Sequence, residues 1–288
     1  MSAPPQIFDR ALLRRRRARA SRHVDEVAPI LRDVAERLLD RLDDTTHRFA
    51  RALDVGGRGI VAPLLRARGI ATVSCDLSPE MAARNPPPVV AADEEWLPFA
   101  AGSFDLIVAS LSLHAVNDLP GALIQLRQAL RPDGLFLAAL PVFGTLEPLR
   151  AALAEAEAVL TGGIAPRVAP FPDLRDCAGL LQRAGFALPV ADLEEVTLAY
   201  ADPLALLRDL RVAGETNILA ARHRPAPARA LFPMALAGMA RVGERVRIPL
   251  RLAMLTGWAP AASQPQPLRP GSGQVSLAAV LRATPEGD

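Results

Sequence analysis

The feature that most constrains this chain is a series of five short apolar runs starting at residue 52. Ala52 to Val55, Ala71 to Cys75, Val89 to Ala92, Phe104 to Ser110 and Leu135 to Leu140 are each four to seven residues long and apolar on both alternating positions. A strand with that pattern is covered on both faces. Between the runs lie stretches with helical spacing, Ile60 to Arg68, Pro79 to Arg84, Leu119 to Leu130 and Leu146 to Leu160. Strands joined by helical crossovers run parallel, so the expected fold class is α/β with a doubly wound, mostly parallel sheet.

Residues 1–48 read as an N-terminal helical extension, with Ile7, Phe8, Leu12 and Leu13 on one side and Val27, Ile30, Leu31, Val34, Leu38 and Leu42 following at helical intervals. The core domain spans 49–200. It includes a helix from Asp173 to Ala184, stopped by Gly185, and strand-like runs at Phe186 to Val190 and Glu194 to Ala199. A C-terminal helical addition, 201–258, carries helical stretches at Pro203 to Val212 and Ala226 to Met239. The remaining 259–288, rich in Pro, Gly, Ser and Gln, reads as a loosely packed tail.

All 33 cationic side chains are Arg. Without Lys there is no phosphate-loop lysine and no Schiff base to a carbonyl substrate. The net charge is only +2 and the two signs are interleaved, so no nucleic-acid or anionic-membrane partner is expected. Two cysteines, Cys75 and Cys177, cannot build a four-thiolate metal site or a disulfide framework, and they fit a reducing compartment. No apolar run reaches the ~18 to 20 residues of a membrane span. Asp25, Glu26 and Asp33 follow the Arg14 to Arg19 cluster too soon for an acid-poor presequence, so the expectation is a soluble, cytoplasmic protein.

The first strand runs into Asp54-Val55-Gly56-Gly57-Arg58-Gly59 and a helix starts at once. A glycine turn there presents free backbone N–H groups at the carboxyl edge of the sheet, where a ligand approaches the main chain. The second strand ends in Asp76, placed to accept both hydroxyls of a ribose. The third ends at Asp93-Glu94, where an acceptor meets an exocyclic adenine amine. Glycines between strand and helix also serve simply as a tight connection, and Gly57, Gly59 and Ala62 satisfy a dinucleotide fingerprint, which makes a nicotinamide dehydrogenase a rival.

These residues carry a resemblance. Leu53-Asp54-Val55-Gly56, Cys75-Asp76-Leu77-Ser78, Leu97-Pro98-Phe99, Gly102 to Ile107 and Leu130-Arg131-Pro132-Asp133-Gly134 resemble the successive motifs of class I S-adenosylmethionine-dependent methyltransferases, over roughly residues 50–190. The resemblance implies a Rossmann-like sheet, S-adenosylmethionine as cofactor and methyl transfer to a partner protein or small molecule. Its cofactor residues map onto Asp54, Gly56, Gly57, Gly59, Asp76, Leu77, Asp93, Glu94 and Ser110. Phe8-Asp9-Arg10, Leu111 to Pro120, Tyr200 to Pro203, Gly214-Glu215-Thr216-Asn217, Leu255 to Pro260 and Pro267 to Gly271 further resemble the complex I assembly-factor family of methyltransferase-fold protein-arginine hydroxylases. That resemblance implies a subunit of respiratory complex I as partner and hydroxylation as an alternative outcome. The malonyl-thioester methyltransferases of biotin synthesis share the Phe-Asp-Arg start and the Leu-His segment.

Three features stand against a simple transfer, one of them Pro141-Val142-Phe143-Gly144 in place of a more glycine-rich turn. The glycine turn is one residue short, with Arg58 and Ile60 where glycines are expected, and Ala115 replaces a Trp after His114. A non-catalytic assembly scaffold that has kept only the fold is therefore a further alternative. His114, after the fourth strand, reads either as a base or substrate contact near the transferred methyl or as a helix-entry histidine bonded to backbone. The Arg14 to Arg19 cluster reads as a solvated helix face, a dock for an acidic partner or a cover over the cofactor cleft. His23 and Asp25 have the spacing of two iron ligands but no third. The catalytic reading requires Asp54, Asp76 and Asp93 to converge on one nucleoside and the space beneath them to be free of Arg58.

Overall fold

The computed structural model describes residues 6–265 and residue 276. The expected tail, 259–288, lies mostly outside the described residues. Eight strands form one sheet: β1 Arg51–Val55, β2 Ala71–Asp76, β3 Val89–Ala91, β4 Phe104–Ser110, β5 Leu130–Pro141, β6 Ala187–Tyr200, β7 Arg241–Val242 and β8 Arg245–Trp258. Their order is β3-β2-β1-β4-β5-β8-β6, with β7 paired to β8. Strands β1 to β5 are parallel, and β8 enters antiparallel between β5 and β6. The reversal between β1 and β4 creates the crevice at the carboxyl ends of the strands where ligands of open α/β sheets bind.

The two-residue period of the strands explains why both faces are covered. Ala52, Leu106, Val108, Leu135, Leu137, Leu252 and Met254 face one side and pack on α2 (Ala28–Asp40) and α3 (Val61–Ala67). Their neighbours Leu53, Val55, Ile107, Phe136, Ala138, Ala253 and Leu255 face the other, against α5 (Leu119–Ala129) and α7 (Leu174–Arg183). In α2 the buried stripe Leu31, Val34, Ala35, Leu38 and Leu39 has the i, i+3, i+4, i+7, i+8 spacing of an amphipathic helix. Among the described residues, α4 (Pro79–Ala82), α6 (Glu147–Thr161), α8 (Pro203–Val212) and α9 (Leu231–Gly238) complete the helices after α1 (Arg10–Ala20).

The extension is two helices joined by a tight turn at Val24–Val27 rather than a single helical run. Helix α1 starts where Asp9 accepts the Leu12 N–H at 2.9 Å, a cap worth about 1 kcal/mol. Its approach lies across the carboxyl edge of the sheet. The Asp9 N–H donates to Ile218 O and the Ala220 N–H to Ile7 O, each at 2.8 Å, and the Phe8 N–H donates to Asn117 Oδ1 at 2.8 Å. Phe8, Leu13, Leu77, Ala115, Ile218 and Leu219 form a small apolar cluster that holds it there.

Three expectations change. The runs at 186–190 and 194–199 are one strand, β6. The helix expected from Ala226 starts only at Leu231. Residues 245–258, expected within a helical addition, instead supply β8 to the sheet.

Candidate active site

Asp54 lies near the end of β1, opposite Ser74 of β2 and Val108 of β4. It is fully buried. Ser74 Oγ donates to its Oδ2 at 3.4 Å, while Oδ1 has no partner among the described residues. Burial pushes its pKa up to about 7, offset in part by the Gly57 amide, Ser74 and the Ala62 amide. The glycine turn is shaped around this carboxylate. A Cβ on Gly57 would lie 2.2 Å from Asp54 Oδ1, and one on Gly56, at φ +68°, would lie 2.6 Å from Ser112 Cβ. A Cβ on Gly59, at φ +84°, would instead come within 3.3 Å of the Arg84 carbonyl oxygen, so this glycine faces the segment after α4.

Asp76 is the last residue of β2, and its Oδ1 accepts the Ser78 N–H at 2.8 Å. Its Oδ2 accepts from Arg17 Nη1 at 3.2 Å. The same nitrogen donates at 3.1 Å to Oε1 of Glu94, beyond the end of β3. Burial and the charge of Glu94 raise the Asp76 pKa, with Arg17 opposing. Against its own burial, Glu94 is drawn below its usual range by Arg17 and Arg10. Arg10 grips Glu94 and Asp93 together and donates to Ala115 O at 3.0 Å. Of the acid pair, Glu94 is the member turned into the sheet edge. Asp93 is partly exposed and also caps the Glu95 N–H at 2.9 Å.

On the β4 side, Ser110 ends the strand nearly buried, and Leu77 is covered by the apolar anchor of α1. His114 sits in a tight turn, Leu113–Ala115, its Nε2 2.8 Å from Glu215 Oε2. The other oxygen of Glu215 accepts from Arg58 Nη2, which also donates to Leu111 O at 2.9 Å. Against its burial, Glu215 is held far below the usual carboxylate range by His114 and Arg58. His114 is therefore bonded to a side chain of the Gly214–Asn217 loop and not to backbone.

The acids of the first two strand ends and Glu94 do meet at one edge, but the space among them is filled. Arg17, 1% exposed, lies between Asp76 and Glu94. Arg58, 2% exposed, fills the region toward β4. The open seat expected from the sequence is not present in this conformation. The cause is electrostatic: buried carboxylates without counter-charge cost several kcal/mol each, and the chain supplies guanidinium groups of its own. The sequence reading missed Arg10 as an occupant and held Arg17 only as an unspecified member of the Arg14 to Arg19 cluster, for which a cover over the cleft was one of three readings. Leu13, Arg17 and Ala20 fall at i, i+4 and i+7, the buried stripe of α1, and that spacing was the available signal. The His23 and Asp25 pair does not form a ligand set: His23 faces Glu26 and Asp25 pairs with Arg84.

The fold is similar to that of solved structures. The YcgJ protein of Bacillus subtilis superposes with a TM-score of 0.53 over 78% of this chain and 98% of its own, at 15% identity. A methyltransferase-like protein of Bacillus halodurans gives 0.51 over 78% and 99%. These likenesses concern the fold. A methyltransferase-domain profile matches residues 13–189. The chain belongs to the S-adenosylmethionine-dependent methyltransferase family. Among its relatives, this methyltransferase is 35% identical over 94% of its length to the mitochondrial arginine-hydroxylase NDUFAF5 of Danio rerio, covering 88% of that protein. It is 37% identical over 94% of its length to the human NDUFAF5, covering 82%. A malonyl-[acyl-carrier protein] O-methyltransferase of Laribacter hongkongensis is 35% identical, over 88% of this chain and 91% of that one. No helix among the described residues of this methyltransferase is long and apolar enough to cross a membrane.

The donor set suits the cofactor of the family. A buried acid with an unpartnered oxygen beside a glycine turn, and two further acids at neighbouring strand ends, match that group in charge and in hydrogen-bond acceptors.

Proposed function

We propose that this chain is a cytoplasmic enzyme that transfers the methyl group of S-adenosylmethionine to an acceptor presented beyond the end of β4. The observation that carries the reading is that Asp76 and Glu94 meet on one buried cation, Arg17, which lies beside the glycine turn that follows the buried Asp54. The reading requires Arg17 and Arg58 to withdraw from the space they fill. In this assignment Asp76 takes the ribose hydroxyls, and Glu94 with Asp93 and Leu77 lines the adenine end. Asp54, Gly56 and Gly57 receive the methionine part, and Ser110 borders the transferred methyl. When bound, the cofactor supplies a methyl group already activated on a sulfonium. The chain's work is then to hold donor and acceptor in line and to exclude water.

His114 is the proposed base. Glu215 fixes its Nε2, and Nδ1 finds no partner among the described residues, so that nitrogen is the one left to take a proton. That assignment fixes the tautomer as Nε2–H.

Protein-arginine hydroxylation is the second reading, favoured by the extent of the NDUFAF5 likeness. It needs molecular oxygen and a reductant in addition. A subunit of respiratory complex I is the acceptor to test first. Mass spectrometry of that subunit after incubation separates the readings: a residue gains the mass of a methylene under the first and of one oxygen under the second.

A further inference from the structure

We propose that α1 is a gate on the nucleoside seat, with the Arg17 guanidinium and the cofactor competing for Asp76 and Glu94. The inference rests on the functional reading above and adds the regulation of the same site. Arg17 Nη1 lies between the two acids at 3.2 and 3.1 Å, while its Nε and Nη2 are buried without partners among the described residues. One of the three guanidinium nitrogens makes both contacts and the other two have none among the described residues, while the charges of Asp76, Glu94 and Glu215 hold the group firmly ionised against its burial. The guanidinium also lies over the glycine turn: a Cβ on Gly56 would come within 3.4 Å of Arg17 Nη1. The side chain and the cofactor cannot be accommodated together.

In the exchange the guanidinium at Asp76 and Glu94 gives way to the ribose hydroxyls and the adenine end assigned to those two acids. It also requires the helix to move. The Arg17 stem is packed at 3.7 Å from the position of a Gly214 Cβ, and Ala20 at 3.4 Å, so the side chain is held between α1 and the Gly214 loop. Helix α1 is suited to moving as a unit. It is separated from α2 by a tight turn, and Arg14, Arg15 and Arg19 lie on its solvent side.

Two measurements on the 288-residue chain test the gate. Calorimetric titration with S-adenosylhomocysteine compares the unaltered protein with Arg17→Ala. The variant is expected to bind at least about tenfold more tightly, the factor for a seat open a tenth of the time. Trypsin digestion of the unaltered protein, which does not depend on the variant folding, is expected to cut within residues 14–19 faster when S-adenosylhomocysteine is present. Equal or weaker binding by a folded Arg17→Ala protein, or slower cleavage with ligand, overturns the gate and leaves the enzymatic reading in place. If neither protein binds the nucleoside at millimolar concentration, the enzymatic reading falls and the gate with it, and the chain is a scaffold.

Discussion

Arg58 has a left-handed backbone, φ +54°, in a turn whose neighbours Gly56 and Gly59 are also left-handed. For a residue with a Cβ this costs about 1–2 kcal/mol. The cost is offset by what the side chain reaches, the Leu111 carbonyl and Glu215. Glu215→Gln removes the counter-charge of a buried guanidinium, a loss of about 3–5 kcal/mol. The expected outcome is a lower midpoint in urea denaturation, and unchanged stability contradicts the pairing. Asp54 makes stability depend on pH. Its pKa is about 7 in the folded chain against 3.8 unfolded, so between those values the native state binds the extra proton. Its contribution therefore falls as pH rises from about 4 to 7 and levels off above. Asp54→Asn is expected to flatten that stretch of the melting-temperature profile and to stabilise the protein at neutral pH. A variant that leaves the slope unchanged would place the titration elsewhere.

At the scale of elements, the N-terminal segment is held over the site by backbone bonds to Ile218 and Ala220, by Arg10 and Arg17 on the strand-end acids, and by a small apolar cluster. Phe8, 6% exposed, is its main apolar anchor, and truncation of a buried Phe costs about 3–5 kcal/mol where it is fully packed. Phe8→Ala is expected to free α1 and speed tryptic cleavage at Arg14 to Arg19, with far smaller change in the far-ultraviolet circular dichroism of the sheet. The core strands β1, β2, β4 and β5 were legible because burial on both faces leaves an unbroken apolar run. Strand β8 was not: Arg245, Arg247, Pro249 and Arg251 interrupt its first half, which pairs with edge strand β6 beyond the core. Strand β6 read as two pieces because Asp192 and Glu194 sit mid-strand, where one face meets Arg41 of the N-terminal extension at 2.7 and 3.4 Å.

At the scale of the whole molecule, strand-end acids were readable because topology alone brings the ends of β1, β2 and β3 to one edge. What stands between them was readable only in part: the spacing of Leu13, Arg17 and Ala20 turns Arg17 inward, but it does not say which acids, some sixty residues later, that side chain meets. The covering role was one of three readings of the Arg14 to Arg19 cluster, and Arg17 is the member that takes it. The affinity consequence is direct: Asp76→Ala is expected to weaken S-adenosylhomocysteine binding by about 1.5–3 kcal/mol, the range for hydrogen bonds to a charged group.

The most direct test is a crystal structure of the chain with S-adenosylhomocysteine bound. The ribose hydroxyls are predicted on the Asp76 carboxylate, with Arg17 withdrawn from between Asp76 and Glu94. A nucleoside bound elsewhere, with Arg17 still seated between those two acids, would contradict the assignment.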